Sequence, residues 1–229
     1  MGWIDDFVSL IYPKICAICG NSLWRSEEII CQKCDYHLPK TNFHLEADNP
    51  VSLLFRGRTN IETATAYLYF NKGNSVQQLI HELKYKGRKD IGVMLGNRYG
   101  RYLKDNPLFK DISLILPVPL HKKKFTQRGF NQSEQFGIGL SEVMGIPMDT
   151  NRLVRIKATE TQTRKSRFMR WENVSDTFIA QNLYELAGLH VMVVDDVITT
   201  GATLEACIQA IIPTPGIKIS VAAIAVALH

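Results

Sequence analysis

VMVVDDVITTGATLE (residues 191–205) runs four apolar residues straight into two adjacent carboxylates, Asp195 and Asp196, and then into small and hydroxylated residues. An uninterrupted apolar run of this kind suits a strand buried on both faces, as in a parallel sheet. The residues that follow suit a helix over 202–212, so the stretch between is a strand-to-helix loop. Backbone N–H groups at a helix N-terminus cradle a phosphate. Thr199, Thr200 and Thr203 add hydroxyl donors there, while Gly201 and Ala202 keep bulk away. Asp195 and Asp196 would repel a phosphate, so they suit sugar hydroxyls or a hard cation bound through oxygen. A ribose 5-phosphate meets both requirements.

Outward from this loop the chain alternates strands and helices. IETATAYLYFNK (61–72) predicts a strand that turns at Gly73. SVQQLIHELKYKGRKD (75–90) has Val76, Leu79, Ile80 and Leu83 at helical spacing, with Ser75 as N-cap, and a second helix is expected over 90–104. ISLILPVPL (112–120) reads as a buried strand broken by Pro117 and Pro119, and NQSEQFGIGLSEVMG (131–145) as a helix closed by Gly145. Residues 190–194 form the strand of the opening stretch, and IKISVAAIAVAL (217–228) the last one. The pattern predicts an α/β fold with a central parallel sheet flanked by helices. Ligands of such sheets sit beyond the carboxyl ends of the strands. Two strand-to-helix loops qualify, the one after residue 194 and the basic HKKKFTQRG (121–129), and both are placed to face one crevice.

The chain has 229 residues and a net charge of +5. Residues 122–170 carry eleven Lys and Arg against four acids, a net +7 that leaves −2 for the remainder. Concentrated positive charge suits a phosphate-rich ligand or a nucleic acid, although a solvated basic face has the same composition. No apolar stretch is long enough to span a bilayer. MGWIDDFVSLIYPK (1–14) has acids where a signal peptide needs basic residues, so it reads as an amphipathic helix and the protein as cytoplasmic.

Cys16, Cys19, Cys31 and Cys34 form C-x2-C-x11-C-x2-C, in which a glycine follows the second cysteine. Two such knuckles bring four thiolates to one tetrahedral ion, and four protein ligands leave no open position for catalysis. This is the pattern of a structural zinc site. The expected organisation is an N-terminal helix with a zinc-ribbon-like module over 1–40 and an α/β domain over 41–229. Cys207 stands apart, as a small buried residue of the last helix. A P-loop is excluded because no G-x-x-x-x-G-K-[ST] occurs, and GIGLSE (137–142) lacks the third glycine of a dinucleotide fingerprint.

VVDDVITTGAT (193–203) resembles the signature of the type I phosphoribosyltransferases, whose substrate is phosphoribosyl pyrophosphate (PRPP). LKYKGR (83–88), LPVPLHKKKFTQRGFNQS (116–133), TQTRKSRFMRWENVSDTF (161–178) and the cysteine knuckles resemble the ComF branch in particular, which is associated with natural transformation. The resemblance covers nearly the whole chain. It implies the type I phosphoribosyltransferase fold and Mg²⁺-dependent displacement of pyrophosphate from PRPP by an unknown nitrogen acceptor. Asp195 and Asp196 would then meet the ribose hydroxyls, directly or with Mg²⁺, and Thr199–Thr203 would hold the 5-phosphate. A leaving pyrophosphate gathers negative charge, so fixed cations aimed at it stabilise the transition state. Arg128 is the leading candidate, with Lys122 and its neighbours Lys123 and Lys124, and Arg164, Lys165 and Arg167 on a flap at 161–170. Lys84 and Arg88 are candidates too, with a solvated helix end as the alternative. A different class stays open: a non-catalytic module acting in DNA uptake, with single-stranded DNA on its basic loops. Phe125, Phe130, Phe168 and Trp171 interleave with the cations there as stacking positions.

Overall fold

The computed structural model describes residues 13–71, 75–156 and 177–228. The turn at Gly73, the whole 161–170 flap and residues 1–12 of the helix expected over 1–14 fall outside them.

The described elements, in chain order, begin with the short helices α1 (Gln32–Tyr36) and α2 (Pro50–Leu53) and the strand β1 (Thr63–Tyr69). Helices α3 (Ser75–Tyr85) and α4 (Lys89–Leu103) lead to β2 (Leu114–Pro117), then α5 (Lys122–Arg128) and α6 (Gln132–Met144). A ribbon of β3 (Leu153–Ile156) and β4 (Thr177–Ala180) precedes β5 (His190–Ile198), α7 (Ala202–Ile211) and β6 (Lys218–Val226). The main sheet has the order β1-β6-β5-β2 with every pairing parallel, while β3 and β4 pair antiparallel.

Side-chain alternation splits the core into two layers, because successive residues of a strand point to opposite faces. Tyr67, Met192, Val194, Ala222 and Ile224 pack with α3, α4, α6 and the cysteine module. Ala64, Ala66, Val191, Val193 and Val221 pack on the other face with α7 and the ribbon. Helices thus cover both faces of a central parallel sheet. Among the described residues no helix is long and apolar enough to cross a membrane.

Two expectations need correction. The strand expected over 190–194 continues through Ile198, so Asp195 and Asp196 lie inside β5, with Asp195 opposite Ala223 of β6. Small alanines on β6 leave room for the carboxylates, which is why pairing survives them. The basic run expected as a loop is instead helix α5, capped by the His121 side chain accepting from the Lys123 N–H at 3.1 Å and ended by Gly129. Lys and Gln are good helix formers, and the cap satisfies one orphan N–H.

The closest helix contact fixes the geometry of the site. α4 and α6 meet through glycines, so their backbones touch. A Cβ on Gly96 would lie 2.2 Å from the Phe136 carbonyl oxygen, and one on Gly139 would lie 2.2 Å from that of Val93. No rotamer relieves a clash with backbone. Gly96→Ala is therefore expected to destabilise the protein by about 2 kcal/mol, roughly 4–8 °C in Tm. Thermal unfolding of that variant reads it, and an unchanged Tm would show that the helices separate freely.

Candidate functional site

The site begins where β5 leaves the sheet. The N-cap Asn131 fixes the start of α6 to the exit of β2: its Nδ2 donates to the Val118 carbonyl at 2.9 Å, and its Oδ1 accepts from the Ser133 N–H at 3.2 Å. Ser133, in the first turn, then donates its hydroxyl to Asp195 Oδ1 at 2.9 Å. The Asp196 N–H donates to the same oxygen at 2.8 Å. Lys84, near the end of α3, pairs through Nζ with Asp196 Oδ2 at 2.8 Å, both side chains being less than one-fifth exposed. The sequence elements around residues 84, 133 and 195 thus converge on one pair of carboxylates.

That pair is short of positive charge. Burial, with the Asp196 charge adding to it, pushes the Asp195 carboxyl up to about 7. The Asp196 N–H, the Ser133 hydroxyl and Lys84 pull the other way without cancelling the effect. A bound cation would relieve the excess, so the residues present fit a hard divalent ion held by oxygen.

Beyond Ile198 the chain makes the tight loop expected of a phosphate cradle. Gly201 is the N-cap of α7 at φ 77°, a left-handed conformation that glycine adopts without penalty. It sits against the buried Phe55 ring, whose atoms lie 3.2 Å from where a Cβ would stand. Thr199, Thr200, Ala202 and Thr203 are exposed. Asp195 and residues 197–204 enclose a small cavity of about 30 Å³. Arg58 braces the loop from outside: it donates to the Leu54 carbonyl at 3.1 Å and the Thr200 carbonyl at 2.9 Å, and pairs with Glu205. Arg58 was missed in the sequence, because it lies far from the loop in the chain and belongs to no motif.

The basic candidates separate. Arg128 donates to Gln132 Oε1 at 2.7 Å and stacks over the Tyr85 ring at 5.4 Å, while its buried Nε has no hydrogen-bond partner among the described residues. Held by α3 and α6, it lies among the elements that carry Lys84 and Ser133. Arg88 is committed to Asp90 by three contacts of 2.7–3.1 Å. Lys122, Lys123 and Lys124 are exposed on α5, and Lys122 lines a 390 Å³ cavity with Phe125 and Arg155. Arg164, Lys165 and Arg167 lie outside the described residues.

The four cysteines form a second site. Their sulfurs all lie within 4.8 Å of one another, with Cys19 and Cys31 Sγ 3.7 Å apart. Gly20, at φ 74°, closes the first knuckle by donating to the Cys16 carbonyl at 3.0 Å. Backbone N–H groups of Ile18 and Cys31 donate to Cys16 Sγ at 3.5 and 3.3 Å. Burial opposes the Cys16 thiolate, but backbone N–H groups hold its pKa down at about 7. Burial and the neighbouring thiols push Cys34 up. Four sulfurs this close fit a tetrahedral metal ion. Cys207 is buried in α7, as expected.

No protein-family profile matches the chain. A DNA utilization protein YhgH of Salmonella typhi is 34% identical over 133 residues, which are 55% of this chain and 56% of that protein. The matched segment thus spans little more than half of that relative's length. The YhgH of Escherichia coli (strain K12) is 28% identical over 83% of this chain and 80% of its own. Competence protein ComFC of Bacillus subtilis is 24% identical over 85% and 70%. These relatives bear out the ComF-family resemblance. A solved glutamine PRPP amidotransferase from B. subtilis is similar at 20% identity and TM-score 0.40, over 62% of this chain and 30% of that one. The fold assignment rests on the sheet order and the flanking helices.

The raised Asp195 pKa has a measurable consequence. In the folded protein the carboxyl keeps its proton up to about pH 7, whereas an unfolded chain loses it near 3.8. The folded state therefore binds more protons between those values, and stability falls as pH rises through that window. Asp195→Asn removes the penalty. Its Tm is expected to match wild type near pH 4 and to exceed it near pH 8 by roughly 2–4 °C, about 1 kcal/mol. Melting curves across that range check the sign, and a lower Tm for the variant at pH 8 would refute the charge shortage.

Proposed function

We propose that the chain binds PRPP and acts as a Mg²⁺-dependent phosphoribosyltransferase, passing the phosphoribosyl group to a nitrogen acceptor. One observation carries this reading: a cation-deficient carboxylate pair opens directly into a hydroxyl-rich loop capped by a left-handed glycine. In this reading the Thr199–Thr203 loop takes the 5-phosphate on the N–H groups and hydroxyls at the start of α7. Asp195, oriented by Ser133, accepts from the ribose hydroxyls, and Asp196 lies beside it. Mg²⁺ bound with the substrate supplies the missing positive charge and polarises the pyrophosphate. Arg128, fixed by Tyr85 and Gln132, presents its guanidinium toward the departing negative charge, with Lys122, Arg164 and Arg167 contributing positive field. Lys84 neutralises Asp196 until the substrate and its cation arrive.

The cysteine cluster carries structural zinc in this proposal, since four thiolate ligands close its coordination shell. Retention of thiols rather than disulfides suits a cytoplasmic protein. A second reading is favoured by the names of the relatives, which refer to DNA utilization and competence: the chain would serve DNA uptake by contacting single-stranded DNA. Of the stacking positions expected for that reading, Phe125 is exposed, Phe130 is buried, and Phe168 and Trp171 lie outside the described residues. Exposed Trp24 and Tyr36 on the cysteine module would add to Phe125.

Ligand-dependent melting separates the two. PRPP with Mg²⁺ at about a hundred times Kd is expected to stabilise the protein by roughly 2.7 kcal/mol through mass action. The double variant Asp195→Asn with Asp196→Asn should weaken PRPP binding at least about tenfold, and Arg128→Ala should also reduce the protection. Pyrophosphate release across candidate amines and nucleobases then identifies the acceptor. Unchanged PRPP affinity in the double variant would remove the assignment. Steeply salt-dependent DNA binding with no PRPP shift would favour the second reading.

Zinc is tested separately. Protein purified without chelator should carry about one zinc ion per chain, and Cys19→Ser should lose it. Cys16, Ala17, Ile30 and Leu38 share one apolar cluster with Leu79, Ile91 and Leu95, so the variant's Tm should fall as well. Metal analysis that finds no zinc in wild type would refute the site.

A further inference from the structure

The largest cavity among those described lies away from the carboxylate pair. It is a groove of about 760 Å³ between the cysteine module and α4. A second cavity of about 370 Å³ shares Asp35, Arg98 and Arg101 with it and is otherwise lined by Lys40, Tyr67 and Tyr102. Neither shares a lining residue with the loop at 195–204.

The smaller cavity is positively charged and walled by rings. Lys40, Arg98 and Arg101 face a single acid, Asp35, which pairs with Arg98 across the seam between module and body. Arg101, one turn further along α4, is exposed and has no ion pair or hydrogen bond among the described residues. Lys40 donates to the Tyr102 hydroxyl at 3.3 Å and lies 5.7 Å from that ring's centre. Tyr67 is only 3% exposed and its hydroxyl makes no hydrogen bond among the described residues, yet the residue lines this cavity. The hydroxyl is the part of Tyr67 that opens into the cavity, so it is free to donate to a bound ligand. The Tyr67 and Tyr102 rings, 6.1 Å apart and inclined at 39°, offer an apolar wall beside those donors.

We propose that this seam cavity is a separate binding site for a nucleoside monophosphate or a phosphorylated ring compound of that size. The phosphate lies against Arg101 and Lys40, the ring against Tyr102, and the Tyr67 hydroxyl donates to the ligand. A bare phosphate would leave most of the volume empty, whereas small-molecule sites commonly occupy about 300–1,000 Å³. The ligand is a single nucleotide rather than a strand, because the cavity continues into a groove lined by Glu27, Glu28 and Asp90. Those acids would repel a continuing phosphate backbone. Binding draws the cysteine module and α4 together, since Lys40 belongs to the chain leaving the module and Arg101 to the helix. The proposal is independent of the PRPP reading.

The test is calorimetry on the full zinc-bound chain with AMP, GMP, CMP, UMP, ribose 5-phosphate, inorganic phosphate and a 15-residue oligothymidylate. At least one nucleoside monophosphate should bind about tenfold or more tighter than inorganic phosphate or ribose 5-phosphate. Arg101→Glu and Tyr102→Ala should each weaken it about tenfold or more, while Asp195→Asn with Asp196→Asn should change it by less than about twofold. Arg101 has no partner to lose, so its replacement should leave the Tm unchanged. Nucleotide binding lost in the aspartate variant but kept in Arg101→Glu would overturn the proposal by placing the nucleotide at the 195–204 loop. So would inorganic phosphate binding as tightly as every nucleotide, oligothymidylate binding at Arg101 while mononucleotides fail, or no nucleotide binding at all.

Discussion

Two carboxylates side by side in the second half of a central strand repel each other, and the surrounding structure is arranged around that repulsion. β5 brings Asp195 and Asp196 there because the strand is too apolar to lie anywhere but the centre of the sheet. Ser133 and the Asp196 N–H answer one carboxylate and Lys84 the other. Each partner arrives on a different element, so the pair acts as a pin through β5, α6 and α3. What remains uncompensated keeps Asp195 protonated far above the usual carboxylate range. A ligand that brings a cation would relieve that charge. The cost to stability and the capacity to bind have the same origin.

Helix α4 links the two halves of the protein. Its glycine face meets α6 backbone to backbone and thereby sets where Ser133 stands relative to Asp195. Arg98 pairs with Asp35 beside Cys34, and Ile91 and Leu95 share a cluster with Cys16 and Ile30. The cysteine module therefore packs into the same apolar layer that supports the carboxylate site. The cysteine module and the carboxylate site are joined through one helix rather than through a tether.

Much of this was legible in the sequence, for identifiable reasons. Helical spacing of Val76, Leu79, Ile80 and Leu83 revealed α3, because burial on one face leaves a periodic trace. The helix ends at Tyr85, short of the 75–90 stretch, and takes Ser75 in as its first residue rather than its cap. The four cysteines were legible because metal ligation restricts both residue type and spacing. The end of β5 was not, since charge within a strand resembles a strand's end until the alanines of β6 are seen beside it. Helix α5 was hidden by its lysines, which look like a solvated loop when no apolar face marks the turn. Arg58 and the commitments of Lys84 and Arg88 depend on contacts that the chain order does not encode. The seam cavity depends on tertiary packing in the same way, with the separation of Asp35 from Arg98 concealing it.

The sheet order also constrains how the protein is made. β6, the last described strand, sits between β1 and β5, and β1 has no other partner in the main sheet. Residues 39–41 bridge one edge of β1 locally, but its parallel pairing in the main sheet must wait for residues 218–226. Such distant parallel pairing slows folding and leaves strand edges open meanwhile. During synthesis the cysteine module, with its local knuckles, the 39–41 segment against β1, and the successive helices α3 and α4 have near neighbours to settle against. The chain thus emerges with its cysteine cluster able to form early and its carboxylate pair positioned late. An abortive product lacking the final strand would lose the middle of the sheet rather than its rim.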